Sequence, residues 1–110
     1  MDKVDPKTTK KIQELQILEQ NLQNLLLQKQ AFQLELNEAE SALSEVKKTK
    51  EEVFKITGQI MIKADKKEVE KELSQKKEIL SLRVNSIEKQ EQEITKQLEK
   101  LKKEVTDKIK

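Results

Sequence analysis

The sequence predicts a mainly α fold, a long antiparallel two-helix coiled coil joined by a single β-hairpin. Three observations carry that prediction. Ahead of the chain's one glycine, Gly58, the residues Leu15, Leu18, Leu22, Leu25, Lys29, Phe32, Leu36, Ala39, Leu43 and Val46 recur at alternating spacings of three and four. Beyond it, Leu73, Lys77, Leu80, Val84, Ile87, Glu91, Ile94, Leu98 and Leu101 repeat the same spacing. Between the two arrays, residues 53–64 switch to β-branched and apolar residues around the glycine. Spacings of three and four are the heptad signature of helices that bury a narrow seam. Folding the chain back at Gly58 sets Leu15 against Leu101, Leu22 against Ile94, Leu36 against Leu80 and Leu43 against Leu73. The same register sets Leu18 against Leu98 and Phe32 against Val84. One register satisfies both seams, so the helices are expected to pair within a single chain.

The composition fits this plan and excludes others. A chain of 110 residues is one domain at most, and residues 1–110 are read as one. Charged residues make up 40% and aromatics 2%, too little bulky apolar material for a globular core but enough for a seam. Low hydrophobicity can also signal disorder, and the sustained heptads argue against it here. The net charge of +2 comes from 23 basic and 21 acidic residues that interleave. No basic stripe is concentrated enough to track phosphates and few aromatics could stack on bases, so nucleic acid is not an expected partner. The lysines between Lys96 and Lys110 share that stretch with Glu99, Glu104 and Asp107 and read as a solvated helix face. With no cysteine and no histidine, thiol chemistry and the commonest metal ligands are missing, and no metal or cofactor is expected. No apolar run approaches a membrane span and no signal-peptide core is present, so the expected location is the cytoplasm.

The elements follow in order. Met1 to Val4 read as a short flexible tail. Asp5 is placed to cap helix one, with Pro6 at the first helical position, where its missing N–H costs nothing. Helix one is expected over 5–50, roughly 60 Å at about 1.5 Å per residue. The β-hairpin is expected over 53–64, with period-two alternation on either side of Gly58. Holding the register of the coil through the hairpin gives a three-residue loop, Thr57-Gly58-Gln59. Ile56 then faces Ile60 and Phe54 faces Ile62, all four on one face, with Val53 and Met61 on the other. Asp65 begins helix two, expected over 65–109, with Glu68 three residues on in the manner of a capping box. Lys66 and Lys67 in its first turn oppose the helix dipole, and nothing local in the sequence explains them.

The hairpin is the functional clue. A helical hairpin needs only a short polar turn, yet this one devotes about a dozen residues to apolar strands. A lone two-stranded hairpin is marginal in water, and its apolar faces and unpaired edges are adhesive. The strands are therefore expected to pair with those of other subunits in a shared sheet or β-barrel body, through Val53, Phe54, Ile56, Gly58, Ile60, Met61 and Ile62. The alternative is a local cap on the end of the coil.

The run Val53-Phe54-Lys55-Ile56-Thr57-Gly58-Gln59-Ile60-Met61-Ile62-Lys63, with Asp65-Lys66-Lys67-Glu68-Val69 after it, resembles the strand–glycine–strand linker and capped second helix of prefoldin β-type subunits. Leu22 to Leu43, with Gln28-Lys29-Gln30 and Leu36-Asn37-Glu38-Ala39, is similar to the family's first helix. The likeness covers nearly the whole chain. α-Type subunits carry two hairpins, and this chain has room for one. The resemblance implies an ATP-independent holding chaperone in which two α-type and four β-type subunits join hairpins into a double β-barrel body. It further implies that the distal ends of the coiled-coil arms grip unfolded proteins and deliver them to a group II chaperonin.

In the fold-back, both termini lie at the end away from the hairpin, where heptad order weakens. Thr8, Lys11 and Lys108 take seam positions, while Ile12, Ile17 and Ile109 fall off the main seam. Ile12, Leu15, Ile17, Val105 and Ile109 are the expected client contacts. The alternative is that they only widen the helix–helix contact. Lys29 and Glu91 interrupt otherwise apolar seams one turn apart and read as a register-setting pair, not as acid–base catalysts, which would need a pocket to tune them. No enzyme is expected. Against the chaperone reading stands a structural or tethering coiled coil that dimerises through its helices, for which the apolar hairpin has little use.

Overall fold

The structure, a computed structural model, describes residues 5–109, with side chains through Asp107. The expected tail, Met1 to Val4, lies outside the described residues. The elements run α1 (Pro6–Lys48), β1 (Val53–Thr57), β2 (Ile60–Ala64) and α2 (Lys66–Ile109). This is the predicted order, with α1 ending slightly ahead of the expected boundary.

The helix ends have identifiable causes. The Asp5 carboxylate accepts the Thr8 N–H at 2.7 Å, and the Asp5 carbonyl accepts the Thr9 N–H at 3.0 Å. This is an N-cap with proline just inside it. Asp65 does the same for α2, its carboxylate accepting the Glu68 N–H at 3.2 Å and its carbonyl the Val69 N–H at 3.0 Å. At the C-terminal end of α1, the Thr49 N–H still donates to the Glu45 carbonyl at 3.0 Å. The Thr49 hydroxyl then accepts the Glu51 N–H at 3.2 Å, which turns the chain toward β1.

The Thr49 carbonyl accepts from the Lys66 ammonium at 2.8 Å. This accounts for a lysine at the start of α2. Its charge is unfavourable for the helix that carries it and favourable at the negative C-terminal end of α1, where it also satisfies an orphan carbonyl.

Packing divides the chain into two compact units. The hairpin unit, Ala31–Val84, holds a cluster of Leu36, Ala39 and Leu80 with Phe32 packed against it. Leu43 and Val84 are also buried. The Arg83 guanidinium sits 5.4 Å above the centre of the Phe32 ring, closing the cluster with a cation–π contact. The terminal unit comprises residues up to Gln30 and from Asn85 onward, with Leu25, Ile87, Leu98 and Val105 buried. Every seam position predicted on α1 is buried or half-buried. Burying each leucine or isoleucine of such a seam is worth about 1.5–3 kcal/mol relative to leaving it in water.

Three expectations are corrected. Lys77 is exposed rather than seated in the seam, as expected of an ammonium that would lose hydration there. The seam does not weaken at Thr8 and Lys11. Thr8 is buried and held into the first turn by the Asp5 cap, and Lys11 is half-buried and paired with Glu104 at 3.2 Å. Lys108 lies beyond the described side chains.

The third correction concerns the hairpin. The observed register pairs Val53 with Ala64, Phe54 with Lys63, Lys55 with Ile62, Ile56 with Met61 and Thr57 with Ile60. The loop is therefore two residues, Gly58-Gln59, one fewer than predicted. Gly58 has φ +63°, and no other described residue has positive φ. Positive φ at the first loop position alone is the signature of a type II′ turn, whose twist matches that of the flanking strands and which favours glycine there.

Candidate functional site

The one-residue difference in register redistributes the hairpin side chains, because cross-strand partners share a face and neighbours alternate. One face carries Phe54, Ile56, Met61 and Lys63. The other carries Val53, Lys55, Thr57, Ile60, Ile62 and Ala64. Phe54 and Ile56 are thus separated from Ile60 and Ile62, contrary to the expected single apolar face, and Met61 joins the former pair. The apolar residues nevertheless stand open on both faces. Ile56 is 72% exposed, Met61 65%, Ile60 64%, and Phe54 and Ile62 50% each.

Two ion pairs frame the hairpin. Lys63 reaches Glu52 at 3.1 Å at its base. Lys55 reaches Glu72 on α2 at 2.8 Å, from the face that also carries Ile60 and Ile62. Among the described residues the sheet consists of these two strands, so each has one edge with no ladder partner there. Apolar side chains exposed beside open strand edges make an adhesive surface.

The residues expected to touch clients are placed differently from one another. Ile17 is exposed, Ile12 and Leu15 are half-buried, and Val105 is buried within the terminal unit at 8% exposure. The Ile109 side chain lies outside the described residues. The same unit exposes Leu27, which lies off the seam, and partly exposes Leu26. Leu34, Ile79 and Leu82 are exposed on the helices of the hairpin unit, and the heptad reading passed over them because they fall outside both seam arrays.

Lys29 and Glu91 meet as the sequence predicts. The ammonium donates to Glu91 Oε2 at 3.1 Å and has Glu88 at 3.8 Å as a further partner, which the sequence reading did not include. Gln92 and Thr95 line the shallow depression beside them, and the Thr95 hydroxyl is turned onto the Glu91 carbonyl at 2.8 Å. The arrangement ties the two helices together by an ion pair and sets no nucleophile beside a base. Among the described residues, no group of three or more acidic side chains is placed to hold a metal. No described helix is long and apolar enough to cross a membrane.

Two heptad helices joined through one open apolar hairpin are a distinctive architecture, and comparison with known proteins identifies its family. The prefoldin subunit family model matches residues 9–110. The prefoldin subunit beta of Thermococcus onnurineus is 37% identical over 111 aligned residues, covering 99% of this chain and 92% of the relative. That of Pyrococcus furiosus is 34% identical with the same coverage, 99% and 92%. That of Saccharolobus islandicus is 35% identical, covering 96% and 86%. The crystal structure of the prefoldin beta subunit from Thermococcus strain KS-1 matches with a TM-score of 0.89 at 32% identity, covering 97% of this chain and 96% of that one.

The chain belongs to the prefoldin subunit family, as a β-type member. With that membership come a chaperone role and assembly with other prefoldin subunits.

Proposed function

We propose that this β-type subunit is an ATP-independent holding chaperone, working in the cytoplasm within a hexamer of two α-type and four β-type subunits. The observation that carries the reading is the hairpin. Five large apolar side chains stand in solvent on a two-stranded sheet that its own chain does not cover, and burial against strands of other subunits relieves both the apolar exposure and the open edges. The hexamer holds unfolded proteins and passes them to a group II chaperonin. Holding without turnover suits a sequence with no phosphate-binding glycine loop, since its single glycine is committed to the hairpin turn.

Clients are held by Ile12, Leu15, Ile17, Val105 and Ile109. Ile17 is accessible in the closed structure, and Ile12 and Leu15 partly so. Val105 engages a client only when the terminal turns separate, which is where helices open at least cost.

Light scattering on the purified chain, alone and mixed with an α-type prefoldin subunit, tests the assembly. A defined hetero-hexamer that forms only on mixing is the expected result. A homodimer indifferent to that partner would instead indicate a tethering coiled coil. The holding surface is tested by serine at Ile12, Leu15 and Ile17 together. The variant hexamer should fail to keep an unfolded protein from aggregating in the absence of nucleotide. Intact hexamers with undiminished holding would remove these residues from the client site.

A further inference from the structure

The hairpin is chemically two-sided, and the difference lies in its cross-strand pairs. On one face the pair nearest the turn is Ile56 with Met61, apolar against apolar, with Phe54 next to it. The charge on that face, Lys63, sits at the base of the hairpin and is drawn to Glu52. On the other face each isoleucine has a polar partner, Thr57 opposite Ile60 and Lys55 opposite Ile62. Lys55 lies in the middle of that face and is engaged by Glu72 of the same chain's α2. Val53 and Ala64, at the base of the same face, are half-buried in the hairpin unit.

Burying the Lys55 face in a dry core would strip water from an ammonium and a carboxylate, a cost that the pair recovers only with very good geometry. The Phe54–Ile56–Met61 face carries no such penalty, because Lys63 is at its rim and can extend its ammonium outward.

We infer that the Phe54, Ile56 and Met61 face forms the dry core of the intersubunit sheet, packed against the hairpins of neighbouring prefoldin subunits, while the Lys55 face stays wet and turned toward its own α2. The inference rests on the proposed assembly through the hairpin and adds a direction to it. The neighbour's strands also supply partners for the open edges, which a globular client would not do in a fixed register.

The chain has no cysteine, so single cysteines report burial without background. Met61→Cys and Ile56→Cys mark one face, and Thr57→Cys and Ile60→Cys the other. Maleimide labelling is followed on the free chain and on the complex formed with an α-type subunit, with complex formation checked by size for each variant. All four are expected to label in the free chain. In the complex, labelling should be lost at Met61→Cys and Ile56→Cys and retained at Thr57→Cys and Ile60→Cys. Loss at all four would show a sheet buried on both sides, and loss at the Thr57 side alone would invert the direction. Either result overturns the inference and leaves assembly through the hairpin intact. Labelling retained at all four in a formed complex would remove the hairpin from the interface, and the assembly reading with it. If Ile56→Cys and Met61→Cys block complex formation while Thr57→Cys and Ile60→Cys do not, the sidedness is supported by that route. The reverse pattern counts against it.

Discussion

The seam between the helices and the hairpin that joins them use the same apolar residue types with opposite results. In the seam, Leu80 is 3% exposed and Ala39 4%; in the hairpin, Ile56 is 72% exposed. Both segments lie in one compact unit of one chain. What separates them is geometry. Apolar side chains three and four residues apart fall on one stripe of a helix, and two such stripes in matching register cover each other. Side chains on a two-stranded sheet alternate between faces, and here the chain half-buries only Val53 and Ala64 at the base of one face and leaves the larger apolar side chains of both faces exposed. The seam is therefore complete within the chain and the hairpin is not. Incompleteness of that kind, more than hydrophobicity, supports the hairpin as the proposed intersubunit surface, since Leu36 and Ile56 differ little as side chains.

The sharpest way to break this contrast is to injure the self-sufficient half. Leu80→Ala opens a void beside Leu36, Ala39 and Phe32 and should destabilise the isolated chain by about 2–3 kcal/mol, the low end for a buried leucine because water can enter a narrow seam. Urea unfolding followed by helical circular dichroism measures it. Hairpin substitutions such as Met61→Ser should leave that same curve unmoved. A curve that shifts equally for both would mean the hairpin already finds cover in its own chain.

A smaller effect is expected at the polar layer of the seam. Glu91→Leu leaves Lys29 half-buried with only the more distant Glu88 and should cost about 1–2 kcal/mol, reduced from the value for a fully buried pair by solvent reaching both groups. The double variant Lys29→Leu with Glu91→Leu should recover at least that much, because a continuous apolar layer replaces the pair. Its expected penalty is in uniqueness, seen as mixed oligomers by light scattering. A double variant as destabilised as the single one would show that the pair contributes net stability rather than register.

Smaller again is the turn. A Cβ added at Gly58 would meet no atom within 4 Å, so Gly58→Ala tests backbone conformation alone. At φ +63° the cost should be about 1 kcal/mol. On the proposed assembly through the hairpin, the loss should be read in the dissociation midpoint of the complex and be barely visible in the isolated chain.

These regions were also unequally legible in the sequence. The seam could be read residue by residue because a heptad is over-determined, each position being checked by neighbours on its own helix and by a partner on the other. Thr8 falls at a seam position in the sequence and is buried there; what the sequence does not show is that the seam holds at this end, because a small polar side chain carries little period signal. The sequence marks the hairpin but not which residues share a face. Val53, Phe54, Ile56, Ile60, Met61 and Ile62 place apolar residues at both parities, so the alternation that marks the strands does not distinguish a two-residue from a three-residue loop. The conformation of Gly58 decides it. Arg83 over Phe32 was invisible for another reason, since it joins residues far apart in sequence through geometry that no local pattern encodes.

Lys66 gives the smallest effect and tests how far local rules reach. By the dipole rule, removing either lysine from the first turn of α2 should stabilise that helix by a few tenths of a kcal/mol. Lys67→Ala, an exposed site, should do so. Lys66→Ala should go the other way and cost about 0.5–1 kcal/mol, because its ammonium caps the Thr49 carbonyl at 2.8 Å and its loss leaves that group with only water to bind. Lys66→Arg should retain most of the effect. Opposite signs for two adjacent lysines, measured by thermal unfolding of the same chain, would show that Lys66 acts across the junction on α1. Equal and stabilising effects would mean that the contact with Thr49 contributes nothing in solution, and that the start of α2 is governed by its own dipole alone.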